Sequence, residues 1–183
     1  AAAQGPDPTV YGSLVHELFA HLVSGRALEN FAASAAVARE LRSGAGASGG
    51  GPEVSGGIEA GSSGPRGGPA PIIGRAAREL EPLLQSKAFS GILHNATLKF
   101  EFPFLLAASP WSIEGRMDML AESNDEVLVL DLKTDRRFSP HEYALQLGIY
   151  RIAARALFPT QNVRTGLLYL HFGEIAWLEG ELD

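Results

Sequence analysis

IEGRMDMLAESNDEVLVLDLKTDRRFSPHEYALQLGIY, running from Ile113 to Tyr150, decides the fold of this chain. Two hydrophobic runs, Ile113–Leu120 and Val127–Leu132, flank the turn-type cluster Ser123-Asn124-Asp125-Glu126. The pattern predicts an antiparallel hairpin. Asp118 lies near the end of the first run, and Asp131, Leu132 and Lys133 close the second. In a strand, residues i and i+2 share a face, so Asp131 and Lys133 project together and Leu132 points the other way. If the hairpin brings Asp118 alongside, two carboxylates and an ammonium meet on one patch. Two carboxylates about 4 Å apart, at an effective dielectric of about 20, repel by roughly 4 kcal/mol. Lys133 offsets one of them. A divalent cation would offset both, and oxygen ligands suit the hard ions magnesium and manganese. The competing reading is an ordinary hairpin end with solvated charges, because charged residues commonly flank strands.

Downstream, Pro140 opens a predicted helix, Pro140–Leu157, with Ser139 as its N-cap candidate. Tyr143, Leu147, Tyr150 and Ala154 form one stripe on it, and Gln146 and Tyr150 are an i,i+4 pair. Asp135, Arg136 and Arg137 read either as a solvated turn or as phosphate contacts. Val163–His171 and Glu174–Leu182 read as a closing hairpin with Phe172-Gly173 at its turn. Upstream, Thr97–Ala107 alternates through Leu98, Phe100, Phe102 and Phe104 and predicts a strand, with Glu101 pointing away from the phenylalanine face, either as an acid supporting the site or, the favoured reading, as an exposed carboxylate.

The N-terminal half reads as helical. A helix is expected from near Thr9, with Val10, Leu14, Leu18 and Leu22 spaced by four and Gly25 as its stop. His16 borders its apolar stripe and is either a core histidine or a ligand. His21, His94, His141 and His171 match no motif and read as structural. Leu28–Leu41 and Ile72–Ser90 are further helical stretches, the latter interrupted by Pro82, which can kink or divide it. Between them, Ser43–Pro71 holds about half of the chain's 21 glycines. It reads as a flexible insertion at 43–71, with no GxxxxGK phosphate cradle. The order of elements predicts an α/β fold, a central mixed sheet flanked by helices, in one domain over 1–183.

Composition narrows the function classes. The chain has 183 residues, 45% hydrophobic and 20% charged, as in globular proteins. The absence of cysteine excludes disulfides, cysteine-ligated zinc and iron–sulfur clusters, and it fits a reducing, cytoplasmic setting. No apolar run approaches the ~20 residues that span a bilayer, so no membrane partner is expected. The first residue is Ala1, which suggests a fragment of a longer protein. A net charge of −6 is the wrong sign for a self-sufficient nucleic-acid binder.

Four pieces in order carry a resemblance. Gly12-Ser13-Leu14-Val15-His16 resembles a G-x-x-x-H helix motif and Gly115-Arg116-Met117-Asp118 a G-x-x-D strand motif. Asp131-Leu132-Lys133-Thr134 resembles D-x-K-T, and Gln146-Leu147-Gly148-Ile149-Tyr150 resembles Q-x-x-x-Y. Together they are similar to the PD-(D/E)XK nuclease superfamily, in its RecB-like branch, found at the C-terminus of RecB- and AddA-type helicase–nucleases. Met117-Asp118 stands where the nominal motif has Pro-Asp, and the cysteines of the AddB-like branch are missing.

The resemblance implies a restriction-endonuclease-like core and an exonuclease-type, Mg2+- or Mn2+-dependent deoxyribonuclease of DNA repair and recombination. Asp118, Asp131 and Lys133 would be catalytic. His16, Asp118, Asp131 and the carbonyl of Leu132 would hold the metal. Gln146 and Tyr150 would position the phosphate backbone or the lysine, with Arg136 as a further contact. Implied partners are DNA, a helicase domain in the same chain and, as a further candidate, a partner subunit, with a cytoplasmic or nucleoid-associated location. The alternative is a catalytically silent nuclease-like module that only holds DNA or a partner.

Overall fold

A computed structural model describes residues 6–34, 37–41, 70–94 and 96–178. The insertion predicted at 43–71 therefore lies outside the described residues, except for its last two. The chain divides into two compact units, Ala1–Arg78 and Glu79–Asp183.

In the first unit, helix α1 spans Pro8–Val23. Asp7 caps it by accepting the Thr9 N–H at 2.8 Å, and Pro8 supplies a preset φ in the first turn. Gly25, at φ +73°, ends it in a left-handed conformation that suits glycine. Tyr11, Leu14, Val15, Leu18 and Phe19 are its buried face. The helix expected over Leu28–Leu41 is not continuous. A 3-10 turn occupies Leu28–Asn30, the backbone at Phe31 is extended, and helix resumes at 37–41. Side chains explain the break. Glu17 accepts the Ser34 N–H at 2.8 Å, and the Ser34 carbonyl and hydroxyl then receive the Ala38 and Val37 N–H groups as a new cap.

Helix α2, Ala70–Leu84, begins two residues earlier than the sequence pattern predicts and contains the boundary between the units. Pro82 neither ends nor divides it: the helix continues to Leu84, and the missing proline N–H costs the one bond to the Arg78 carbonyl. The division comes at Ser86, whose hydroxyl accepts the Phe89 N–H and caps α3, Lys87–Leu93.

The rest of the second unit is one five-stranded mixed sheet in the order β1-β2-β3-β4-β5. The strands are Thr97–Ala108, Trp111–Glu122, Glu126–Lys133, Asn162–Tyr169 and Glu174–Trp177. All neighbours are antiparallel except β3 and β4. A parallel pair needs a crossover, and helix α4, Ala144–Leu157, provides it. The predicted helix from Pro140 is a 3-10 turn over Pro140–Tyr143 followed by α4, and the Ser139 side chain makes no capping bond. The closing hairpin and its Phe172-Gly173 turn are as expected, with Gly173 at φ +63°.

Leu147, Tyr150, Ala153 and Ala154 of α4 pack onto Leu120, Val127, Val129 and Leu167. Burying each such large apolar side chain contributes about 1.5–3 kcal/mol. The α/β architecture, a mixed sheet with helices, is that of the restriction-endonuclease-like fold.

Candidate active site

The β2–β3 ladder fixes the site. Its backbone pairing runs from Glu122↔Val127 to Met119↔Leu130 and stops there. One further step in the same register sets Asp118 opposite Asp131. The N–H of Leu132 has left the ladder, and the Asp118 carboxylate accepts it at 2.8 Å. A backbone donor is thereby satisfied, and the carboxylate is pinned beside β3. Asp131 is buried, with 2% exposure. Its Oδ2 lies 2.7 Å from Lys133 Nζ, which confirms that residues 131 and 133 share a face. The contact is an ion pair whose angles fall outside hydrogen-bond geometry, so Oδ2 accepts no hydrogen bond among the described residues.

Helix α4 supplies the other half. Gln146 Nε2 donates to Asp131 Oδ1 at 2.8 Å and to the Tyr150 hydroxyl at 2.8 Å. Its Oε1 accepts from Lys133 Nζ at 3.1 Å. The Tyr150 hydroxyl donates in turn to the Arg116 carbonyl at 2.9 Å. One glutamine thus reads both members of the D-x-K pair, and the tyrosine one turn on ties the helix back to β2. Burial pushes the Tyr150 pKa up to about 12; the Gln146 hydrogen bond opposes this and the Asp131, Asp118 and Glu101 carboxylates add to it. Tyr150 is therefore a neutral donor at ordinary pH. Lys133 Nζ also lies 4.0 Å over the Tyr143 ring, a cation–π contact. The Tyr143 hydroxyl donates to Asp135, which with burial raises its pKa above the usual phenol range.

Glu101 bears on both of its sequence readings. It is exposed, as expected, and forms an ion pair with Arg116 at 3.3 Å. Yet its φ is +51°, and it sits between the paired positions Phe100↔Met119 and Phe102↔Met117, which sets it opposite Asp118. Carboxylate oxygens of Glu101 and Asp118 lie within 4.8 Å of each other. A left-handed conformation costs a non-glycine residue about 1–2 kcal/mol, and such strain concentrates at functional sites. The signal was present in the sequence: a hairpin centred on Ser109-Pro110 makes Glu101 and Asp118 cross-strand partners.

The second unit therefore brings together Asp118, Asp131, Lys133, Gln146, Tyr150 and the backbone of Leu132. Arg136 lies on the rim, in an open cleft of about 280 Å3 lined also by Asp135, Arg137, Ser139, Glu142 and Tyr143. His16 is half-buried on α1 of the first unit. His21, as expected, is structural. Its Nε2 lies 2.8 Å from the Ala27 carbonyl, and its ring stands edge-on to Phe31.

The residues present fit a hard divalent cation. The donors are carboxylate oxygens, among them the buried Asp131 Oδ2, whose partner among the described residues is the Lys133 ammonium.

A model of the PD-(D/E)XK nuclease superfamily matches residues 2–179. The chain belongs to that superfamily. In this domain Asp118 lies on β2, and Asp131 and Lys133 lie on β3. The structure also resembles a solved structure from Eubacterium rectale described as "Putative exonuclease", with a TM-score of 0.51 and 7% identity. That likeness covers 91% of this chain and 59% of the other, and it is one of fold. No curated protein matches the sequence.

Proposed function

We propose that this nuclease domain hydrolyses phosphodiester bonds in DNA, using magnesium or manganese held by Asp118, Asp131 and the Leu132 carbonyl. The observation that carries the reading is Gln146, which holds Asp131 at 2.8 Å and Lys133 at 3.1 Å on one patch. When bound, the metal supplies charge stabilisation at the phosphate and a more acidic water. Lys133 orients the attacking water and faces the negative charge that grows on the phosphate. Gln146 and Tyr150 hold Lys133 and Asp131 in place, and Arg136 contacts the phosphate backbone. Phosphate contacts carry no base information, so cleavage is not sequence-specific.

Both units act as one domain in this proposal, because the superfamily match spans them. The four ordered motifs support the RecB-like branch, an exonuclease-type activity and a place in a cytoplasmic helicase–nuclease of DNA repair and recombination. The net charge of −6 fits a domain to which others deliver the DNA. Retention of Asp118, Asp131 and Lys133 together argues for activity over a silent module.

The test is Lys133→Ala. Cleavage of labelled DNA should fall by at least about 100-fold, the scale of losing one transition-state donor. Calorimetric manganese binding should persist in Lys133→Ala and be lost in Asp118→Ala. Undiminished cleavage in Lys133→Ala, or undiminished binding in Asp118→Ala, would overturn the assignment.

A further inference from the structure

Immediately after the D-x-K-T segment the chain turns outward and presents an aromatic surface. Phe138 is 43% exposed, and so is Phe172 from the β4–β5 turn. Their ring centroids are 5.5 Å apart, and both contact buried Tyr169, at 4.6 and 6.0 Å. Tyr169 is the cross-strand partner of Lys133, and its hydroxyl accepts the Ser139 N–H. The rings are therefore seated one residue pair from the proposed catalytic lysine, on a buried support. The adjoining cleft holds two cations and two carboxylates. Arg137 is paired with Glu142, and Asp135 is occupied by the Tyr143 hydroxyl. Arg136 is exposed, with no ion pair among the described residues.

We infer that Phe138, braced by Phe172 with the two ring planes 78° apart, offers its ring for an unpaired base to stack on, with Arg136 on the neighbouring phosphate, so that the site takes single-stranded DNA. Every base has a π-face, and ring stacking beside a cationic groove is how proteins grip single strands without reading sequence. A duplex keeps its bases stacked on each other and cannot use the rings. Both rings keep part of their surface open, and Arg136 lies two residues before Phe138 in the chain. The inference rests on the nuclease reading but is tested without cleavage.

The experiment measures anisotropy of fluorescein-labelled dT20 and of a labelled 20-base-pair duplex in calcium, with the full 183-residue chain. Phe138→Ala should weaken dT20 binding on the order of ten-fold, with duplex binding and the salt slope unchanged. Arg136→Ala should weaken both and flatten the salt slope by about one phosphate contact. Phe138→Leu keeps the packing on Tyr169 without the π-face, so it should lose dT20 affinity while melting like the wild type. Equal dT20 affinity in wild type and Phe138→Leu, parallel loss on both probes, or no wild-type dT20 binding would each overturn the platform. If dT20 behaves as expected but the wild type cleaves no DNA in magnesium, the platform stands and the catalytic reading fails.

Discussion

Glu101 shows what a single residue reveals about this site. A left-handed glutamate in mid-strand is conformationally costly, and its carboxylate lies beside that of Asp118. Glycine adopts the same φ without the Cβ penalty, though it loses more chain entropy on folding. Glu101→Gly should therefore melt no lower than the wild type, despite losing the Arg116 ion pair, because exposed pairs contribute little. Manganese affinity should fall in the same variant. Calorimetry and a thermal melt on one sample check both. A clear drop in melting temperature would show that the strain is balanced by a structural contact instead of serving the acidic patch. The shared face of Asp131 and Lys133 was legible in the sequence from a strand's period of two, whereas the burial of Asp131 was not. Glu101 was not legible from alternation alone, since the pattern reports faces and not cross-strand partners.

Among elements, the β1–β2 hairpin and α4 are locked by one glycine. A Cβ on Gly115 would lie 2.7 Å from the Phe104 ring. That ring crosses the strand and meets Tyr150 edge-on at 5.7 Å. The glycine of the G-x-x-D motif thus has a packing reason: it lets Phe104 reach Tyr150, whose hydroxyl is held by Arg116 and Gln146. Gly115→Val should force the ring aside and cost about 1–3 kcal/mol in urea denaturation, with reduced cleavage because Tyr150 and Gln146 move together. The double variant Gly115→Val with Phe104→Ala should recover part of the loss. Additive losses would show that the contact is incidental. The helix periodicity placed Tyr150 on a buried stripe and next to Gln146, but no period announces which strand side chain crosses to meet it. The broken Leu28–Leu41 helix was illegible for a related reason: Glu17, on another element, takes the Ser34 N–H.

At the scale of the whole chain, charge dominates. A net −6 opposes association with a polyanion, so DNA binding should depend on a divalent cation and show a shallow salt slope, with few phosphates neutralised. Anisotropy of labelled DNA should show no binding in EDTA and recover on adding calcium or magnesium. Binding of equal strength in EDTA would mean that a basic surface does the work. The order of strands and the crossover helix were legible, because Pro140 and the apolar stripe of Leu147, Tyr150 and Ala154 mark α4 plainly. A mixed sheet was legible from the helix between the strands, but that β3 and β4 are its parallel pair was not.

That parallel pairing has a kinetic side. Asp118, Asp131, Lys133, Gln146 and Tyr150 all lie within the stretch Ile113–Tyr150, so the patch assembles from near neighbours in sequence. β3, with its buried Val127-Leu128-Val129-Leu130 run, must wait for Asn162–Tyr169 to cover its far edge. Until then it is an open apolar strand of the kind that recruits other chains. On a ribosome, the interval between completing Lys133 and completing Tyr169 is when this protein is most prone to aggregate, and α4, forming first, shields only one face of it.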